Sequence, residues 1–167
     1  MSRKLLGIAS AALVAGATLV AGPSAQAQDD PQIPILLGDL DLSTYVTVGT
    51  PVGSADDRYV RMLPLQSVAD QTWEFRDSSG GGTAVVNTDT GGCLQTDPTG
   101  AEEYVTVGGC LRAPSESWEV VFGETGLTFV HQETKECLTR PDGTSADPRL
   151  TVAPCDGGEN QTFSIVW

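Results

Sequence analysis

Hydrophobic positions in this chain recur two apart. Val60 and Met62, Val105 and Val107, and Leu150 and Val152 hold the spacing of residues on one face of a β-strand. Trp73/Phe75, Trp118/Val120/Phe122 and Phe163/Ile165/Trp167 alternate in the same way. Asp56-Asp57, Asp97-Pro98-Thr99-Gly100 and Pro141-Asp142-Gly143-Thr144 interrupt the runs with turn chemistry. Asp77 to Gly82 reads as a flexible turn inside the domain. The pattern predicts many short strands joined by turns, which makes the fold class all-β and excludes a helical bundle. The 19 Gly and 10 Pro agree.

A longer period lies over the short one. Gln71-Thr72-Trp73, Glu116-Ser117-Trp118 and Gln161-Thr162-Phe163 are three versions of one element, their aromatic residues 45 apart. Gly92-Cys93-Leu94-Gln95-Thr96 recurs as Glu136-Cys137-Leu138-Thr139-Arg140, and Val105-Thr106-Val107-Gly108-Gly109-Cys110 as Leu150-Thr151-Val152-Ala153-Pro154-Cys155. The same offset carried back from Val105, Val107 and Cys110 reaches Val60, Met62 and Leu65, so a first copy without cysteine exists. An interval found twice at several unlinked positions marks an internal repeat. A single hairpin unit cannot bury its apolar face alone, whereas three around an axis share one core.

The first 27 residues read as a signal peptide: Arg3 and Lys4, an apolar run from Leu5 to Gly22, and Ser24-Ala25-Gln26-Ala27 ending in a cleavage pattern. Gln28 to Pro34 reads as a flexible leader. Cleavage leaves 140 of the 167 residues and moves the formal charge from -13 to -15. The expected location is therefore extracellular, with no membrane attachment after cleavage. Such acidity excludes nucleic acid as a partner, because phosphate contacts need a basic face. Lysine occurs only as Lys4 and Lys135 while Ala, Gly and Thr abound, a usage that fits a bacterial host with a GC-rich genome. Four cysteines in an exported chain suit disulfides, and four allow three pairings. The separations of 17 and 18 favour Cys93–Cys110 and Cys137–Cys155. A zinc site is disfavoured, since there is no CxxC pair and His131 is the one histidine.

A Cys-Leu start, a second Cys after a Val-x-Val strand and a Gln-x-Trp ending, repeated three times, resemble the ricin-type β-trefoil lectins. The resemblance covers Ile35 to Trp167. It implies a single β-trefoil, a barrel with pseudo-threefold symmetry whose Gln-x-Trp aromatics share one core, and it implies glycans or polysaccharide as partners. In that family a sugar is held by an Asp two residues after the first Cys, a ring two residues before the second, and polar groups around the Gln-x-Trp. A carboxylate and an amide orient two hydroxyls while the ring stacks on the sugar's C–H face.

This chain departs from that pattern. The Asp positions carry Gln95 and Thr139, and the stacking positions carry Gly108 and Ala153. The polar pair survives as Asn160-Gln161 and as Asp70-Gln71, whereas the middle copy has Ser115-Glu116. Asp97 and Asp142 lie two and three residues beyond the altered Asp positions, where a carboxylate also serves simply to form a turn. The candidate carbohydrate-binding residues are thus Asp142, Asn160 and Gln161. His131 is expected on a solvent-facing strand position, and one histidine makes no triad. Asp39 and Asp41 lack the downstream Gly and Glu of a calcium loop. No catalytic residue, metal or cofactor is indicated. Two roles follow: a secreted carbohydrate-binding module with degenerate sites, or a trefoil that serves a protein partner, for example as a protease inhibitor.

Overall fold

The computed structural model describes residues 33–51, 58–66, 68–78, 81–96, 104–142 and 148–167. The proposed signal peptide and most of the leader lie outside the described residues, as do the Asp56-Asp57 and Asp97–Gly100 turns.

Each repeat supplies four strands. The first gives β1 (Ile35–Gly38), β2 (Tyr45–Pro51), β3 (Arg58–Leu63) and β4 (Thr72–Asp77); the second gives β5 (Thr83–Asn87), β6 (Cys93–Gln95), β7 (Thr106–Gly108) and β8 (Trp118–Phe122). The third gives β9 (Leu127–His131), β10 (Glu136–Thr139), β11 (Thr151–Pro154) and β12 (Ser164–Val166). One short helical turn precedes the last strand of each unit: Val68–Gln71, Pro114–Glu116 and Glu159–Gln161.

The six outer strands close into a ring. β1 pairs with β4, β4 with β5, β5 with β8 and β8 with β9. β12 pairs back onto β1, and Leu127 exchanges two backbone hydrogen bonds with Phe163 to shut the last gap. Closure leaves no barrel strand with an open edge. The inner strands form three hairpins, β2–β3, β6–β7 and β10–β11, that cap one end. At the centre of the cap the Val60 N–H donates to Val105 O (3.1 Å), the Val105 N–H to Leu150 O (3.0 Å), and the Leu150 N–H to Val60 O (2.9 Å). These residues are 45 apart, so the repeat period is closed into a triangle of hydrogen bonds. On the next position out, Tyr59 and Tyr104 meet edge to face at 5.8 Å, and the Arg149 guanidinium lies 3.6 Å from the Tyr104 ring centre.

The core repeats in layers of three. Trp73, Trp118 and Phe163 are fully buried, as are Leu37, Val85 and Phe129, and Val46, Leu94 and Leu138. The two indoles are held by their donors as well as by area: Trp73 Nε1–H reaches Val46 O and Trp118 Nε1–H reaches Leu94 O, both at 2.9 Å. Phe129 bridges Phe75 and Phe163 by edge-to-face contacts at 5.9 and 5.6 Å. The disulfides Cys93–Cys110 and Cys137–Cys155 each pin the first strand of a cap hairpin to the residues after its second. In the cysteine-free unit Leu65 is mostly exposed. The Asp77–Gly82 turn is closed by the Ser78 N–H on Gly82 O and the Gly81 N–H on Ser78 O.

One expectation fails here, and one limit of the alternation shows. His131 does not face solvent: it is 1% exposed, because the Pro114–Ser117 turn of the second unit covers it. Phe122 and Trp167, which continue the core alternation in sequence, are 73% and 81% exposed. They follow Trp118 and Phe163 by four residues and run past the last core layer at the uncapped end of the barrel.

Candidate functional site

The helical turn in each unit presents a polar side chain inward, toward its own cap hairpin. Gln71 Nε2–H donates to Thr47 Oγ1 (2.8 Å) and Pro64 O (3.0 Å), while Gln71 Oε1 accepts the Gln66 N–H. Gln161 repeats the pattern, donating to Thr139 Oγ1 (3.1 Å) and Pro154 O (3.0 Å) and accepting from the Asp156 N–H. In the middle unit Glu116 has no donor. Both its oxygens accept backbone N–H groups, from Leu111 and Arg112 at 2.8 Å each. All three side chains are buried. Each satisfies main-chain groups that would otherwise be orphaned inside the protein.

Among the candidate sugar residues, Gln161 is therefore committed to the fold. Thr139, at an altered Asp position, is spent too: its hydroxyl donates to Cys137 O and accepts from Gln161. Asn160 and Asp142 differ. Asn160 is half-buried and Asp142 exposed, and neither side chain has a hydrogen bond among the described residues. Two residues before Asp142 sits Arg140, whose backbone N–H donates to Asn160 O and whose guanidinium packs 5.7 Å from the Phe163 ring and donates to Glu159 O. Burial lowers the Arg140 pKa from its ordinary value, and the carboxylates of Asp39, Asp41 and Glu159 oppose that shift. The third unit is thus joined electrostatically to the first.

A second threefold set was not legible from the repeat period. Asp39, Asn87 and His131 each organise the hairpin turn that follows. Asp39 accepts from Ser43 and Thr44, backbone and hydroxyl alike. Burial pushes its pKa up, and those hydrogen bonds outweigh burial to leave it below the usual carboxylate value. Asn87 Oδ1 accepts the Thr90 N–H, and His131 Nδ1 accepts the Thr134 N–H. With Nδ1 accepting, the neutral ring carries its proton on Nε2, which lies 3.3 Å from Thr96 Oγ1. Burial lowers the His131 pKa, against hydrogen bonds to the Ser115 and Pro114 backbone and the nearby Glu133 and Glu136. A Thr three residues after Asn87 and after His131 is the sequence signal for this role.

No ring stands at the stacking positions: Leu63, Gly108 and Ala153 occupy them. Among the described residues no group of His, Cys, Asp and Glu side chains is placed to hold a metal ion. The family model for the ricin-type beta-trefoil lectin domain matches residues 48–163. The chain belongs to that family. Among solved structures, a designed threefold-symmetric protein, ThreeFoil, is similar at a TM-score of 0.69 and 17% identity, covering 80% of this chain and 98% of that one. A Macrolepiota procera ricin B-like lectin, solved in complex with lactose, gives 0.63 and 15%, covering 83% and 97%. An exo-beta-1,3-galactanase from Clostridium thermocellum gives 0.70 and 15%, with 83% of this chain matching 30% of that one. No curated protein sequence matches. At these identities the structural likeness shows the fold, a β-trefoil, and the family match supports a carbohydrate-binding trefoil module.

Proposed function

We propose that this protein is a secreted, non-catalytic carbohydrate-binding module whose one remaining family-type site is in the third unit. The observation that carries the reading is the free polar pair there. Among the described residues the Asn160 and Asp142 side chains make no hydrogen bond, and the third unit is the one that carries both an amide and a turn carboxylate in this state; Gln71, Glu116 and Gln161 are all consumed by the fold. An amide and a carboxylate supply a donor and acceptors for sugar hydroxyls. With Ala153 in place of a ring, the apolar face of the sugar lacks a stacking partner. Affinity per site should then be about 1 mM, near -4 kcal/mol, and retention on a surface would depend on clustered or polymeric glycans.

The missing rings also favour a second reading, a trefoil whose surface serves a protein partner. Titration of the full-length protein with galactose-type mono- and oligosaccharides separates the two. Weak binding that Asn160→Ala and Asp142→Ala both reduce supports the lectin reading. Binding that neither variant alters places the sugar elsewhere. No binding to any glycan, at any length, leaves the partner-protein reading.

A further inference from the structure

The described surface holds a cleft of about 210 Å3 away from the third-unit pair. It is lined by the Thr90–Gly92 turn, by Val107–Gly109 and by Arg58. Arg58 arrives from another unit, through the pairing of β3 with β7 that sets Arg58 against Val107. Gln95, Ser115 and Glu116, at the family's sugar positions in the middle unit, do not line it; Gly108 is the shared residue.

Two features set this cleft apart. The first is Arg58. In a chain of formal charge -13, it is exposed and makes no hydrogen bond or ion pair among the described residues. The second is bare backbone beyond what packing requires. Gly92 is demanded by the fold, since a Cβ there would stand 2.6 Å from Val107 Cγ1 and 2.7 Å from Gly108 O. Gly91 has a φ of 67°, which favours glycine. Gly109 has neither constraint: a Cβ would meet only Leu111 Cδ2, at 3.9 Å. A side chain at that position would be tolerated by the fold and would narrow the cleft.

We propose that this cleft takes the carboxylate-bearing residue of an acidic polysaccharide, with the carboxylate on the Arg58 guanidinium. The planar fork of an arginine matches a carboxylate with two parallel hydrogen bonds. The volume lies below the roughly 300–1,000 Å3 of pockets for drug-sized molecules, which suits one sugar residue. Distant carboxylates do not prevent such binding, because at physiological salt charges beyond about 8 Å are largely screened while a contact pair is kept. Asp57 and Asp89, next in sequence to Arg58 and Thr90, are the near negative charges that the Arg58 contact must outweigh. The proposal rests on the reading that the chain binds glycans, and it uses residues that the third-unit site does not.

The test is calorimetric titration of the full-length protein at 0.15 M salt, on the order of physiological ionic strength, with trigalacturonate and with a neutral galactose trimer. Trigalacturonate should bind. Arg58→Glu should weaken it by about tenfold or more, and Gly109→Val should weaken it too. Because Arg58 is exposed, its variant should melt with the wild type, so lost binding is read without lost folding; Arg58→Glu alone decides if the glycine variant misfolds. Uronate binding that Arg58→Glu leaves intact overturns the proposal. Neutral binding without uronate binding overturns it and leaves the lectin reading standing; failure of both sugars overturns it as well, while the lectin reading falls only if no glycan of any length binds. Polyglutamate binding as tightly as the uronate overturns the assignment of the ligand as a sugar.

Discussion

Replacing Trp118 with Phe tests the threefold logic of the core, because Phe is the residue the third unit carries at the equivalent Phe163. The substitution removes the smaller ring of the indole and its N–H. The lost volume, roughly 40 Å3, costs about 1 kcal/mol at ~24 cal/mol per Å3 of residual cavity. Leu94 O loses the Trp118 Nε1–H that reaches it at 2.9 Å inside the core, and a buried carbonyl left unpaired costs about 1–3 kcal/mol. The expected loss is therefore about 2–4 kcal/mol. Trp73→Phe should cost a similar amount, since its donor to Val46 O is identical in length and the ring equally buried. Urea unfolding followed by circular dichroism measures both, and the slope of the transition should be unchanged. The reasoning is refuted if either variant unfolds within about 0.5 kcal/mol of wild type, the ordinary scale of a neutral surface change. A disparity between the two of more than about 2 kcal/mol would show that the units are not energetically equivalent.

Further outcomes follow from the same geometry. Glu116→Gln restores the residue found in the other two units yet should destabilise by about 1–3 kcal/mol, because an amide turns one acceptor of the Leu111 and Arg112 N–H groups into a donor; thermal melting checks this. Removing either disulfide as a Cys→Ser pair should cost about 3 kcal/mol in the loop-entropy model, measured by denaturant midpoint. His131 is held below its unfolded value of 6.5 mainly by burial, so the unfolded chain takes up its proton first. Its contribution is fully present above about pH 6.5 and falls as pH drops from there toward the lowered folded value. His131→Asn, which installs the residue of the second unit, should flatten stability between about pH 7 and 5; an unchanged pH slope would refute the assignment.

The fold was legible because three independent signals kept the same period. The Gln-x-aromatic element, the Val-x-Val strand and the second cysteine all recur 45 apart, and strand alternation told which residues enter the core. Periodicity was blind to two things. It gave Phe122 and Trp167 the parity of the core without saying that the core ends a layer earlier, since parity fixes a face and not a depth. It also hid the Asp39, Asn87 and His131 set, whose intervals of 48 and 44 straddle hairpins of unequal length and whose side chains share no chemistry beyond accepting a hydrogen bond. His131 was misread for that reason: the turn that covers it belongs to another unit, more than a dozen residues away. At the site, sequence distinguished retained from altered positions. It did not show that Gln161 is turned inward and spent on Thr139, because that depends on which main-chain groups the cap hairpin leaves unpaired.

Glycan binding by the third unit is the claim on which the account depends. The most direct measurement is a map of backbone and side-chain amide shifts as a galactose-type oligosaccharide is added to the full-length protein. Saturating, dose-dependent shifts centred on the Asn160 side-chain amide and the Asp142 backbone, with a dissociation constant of about 1 mM or somewhat below, are the predicted result. Spectra that stay superimposable up to tens of millimolar sugar, roughly ten times that constant, would contradict it.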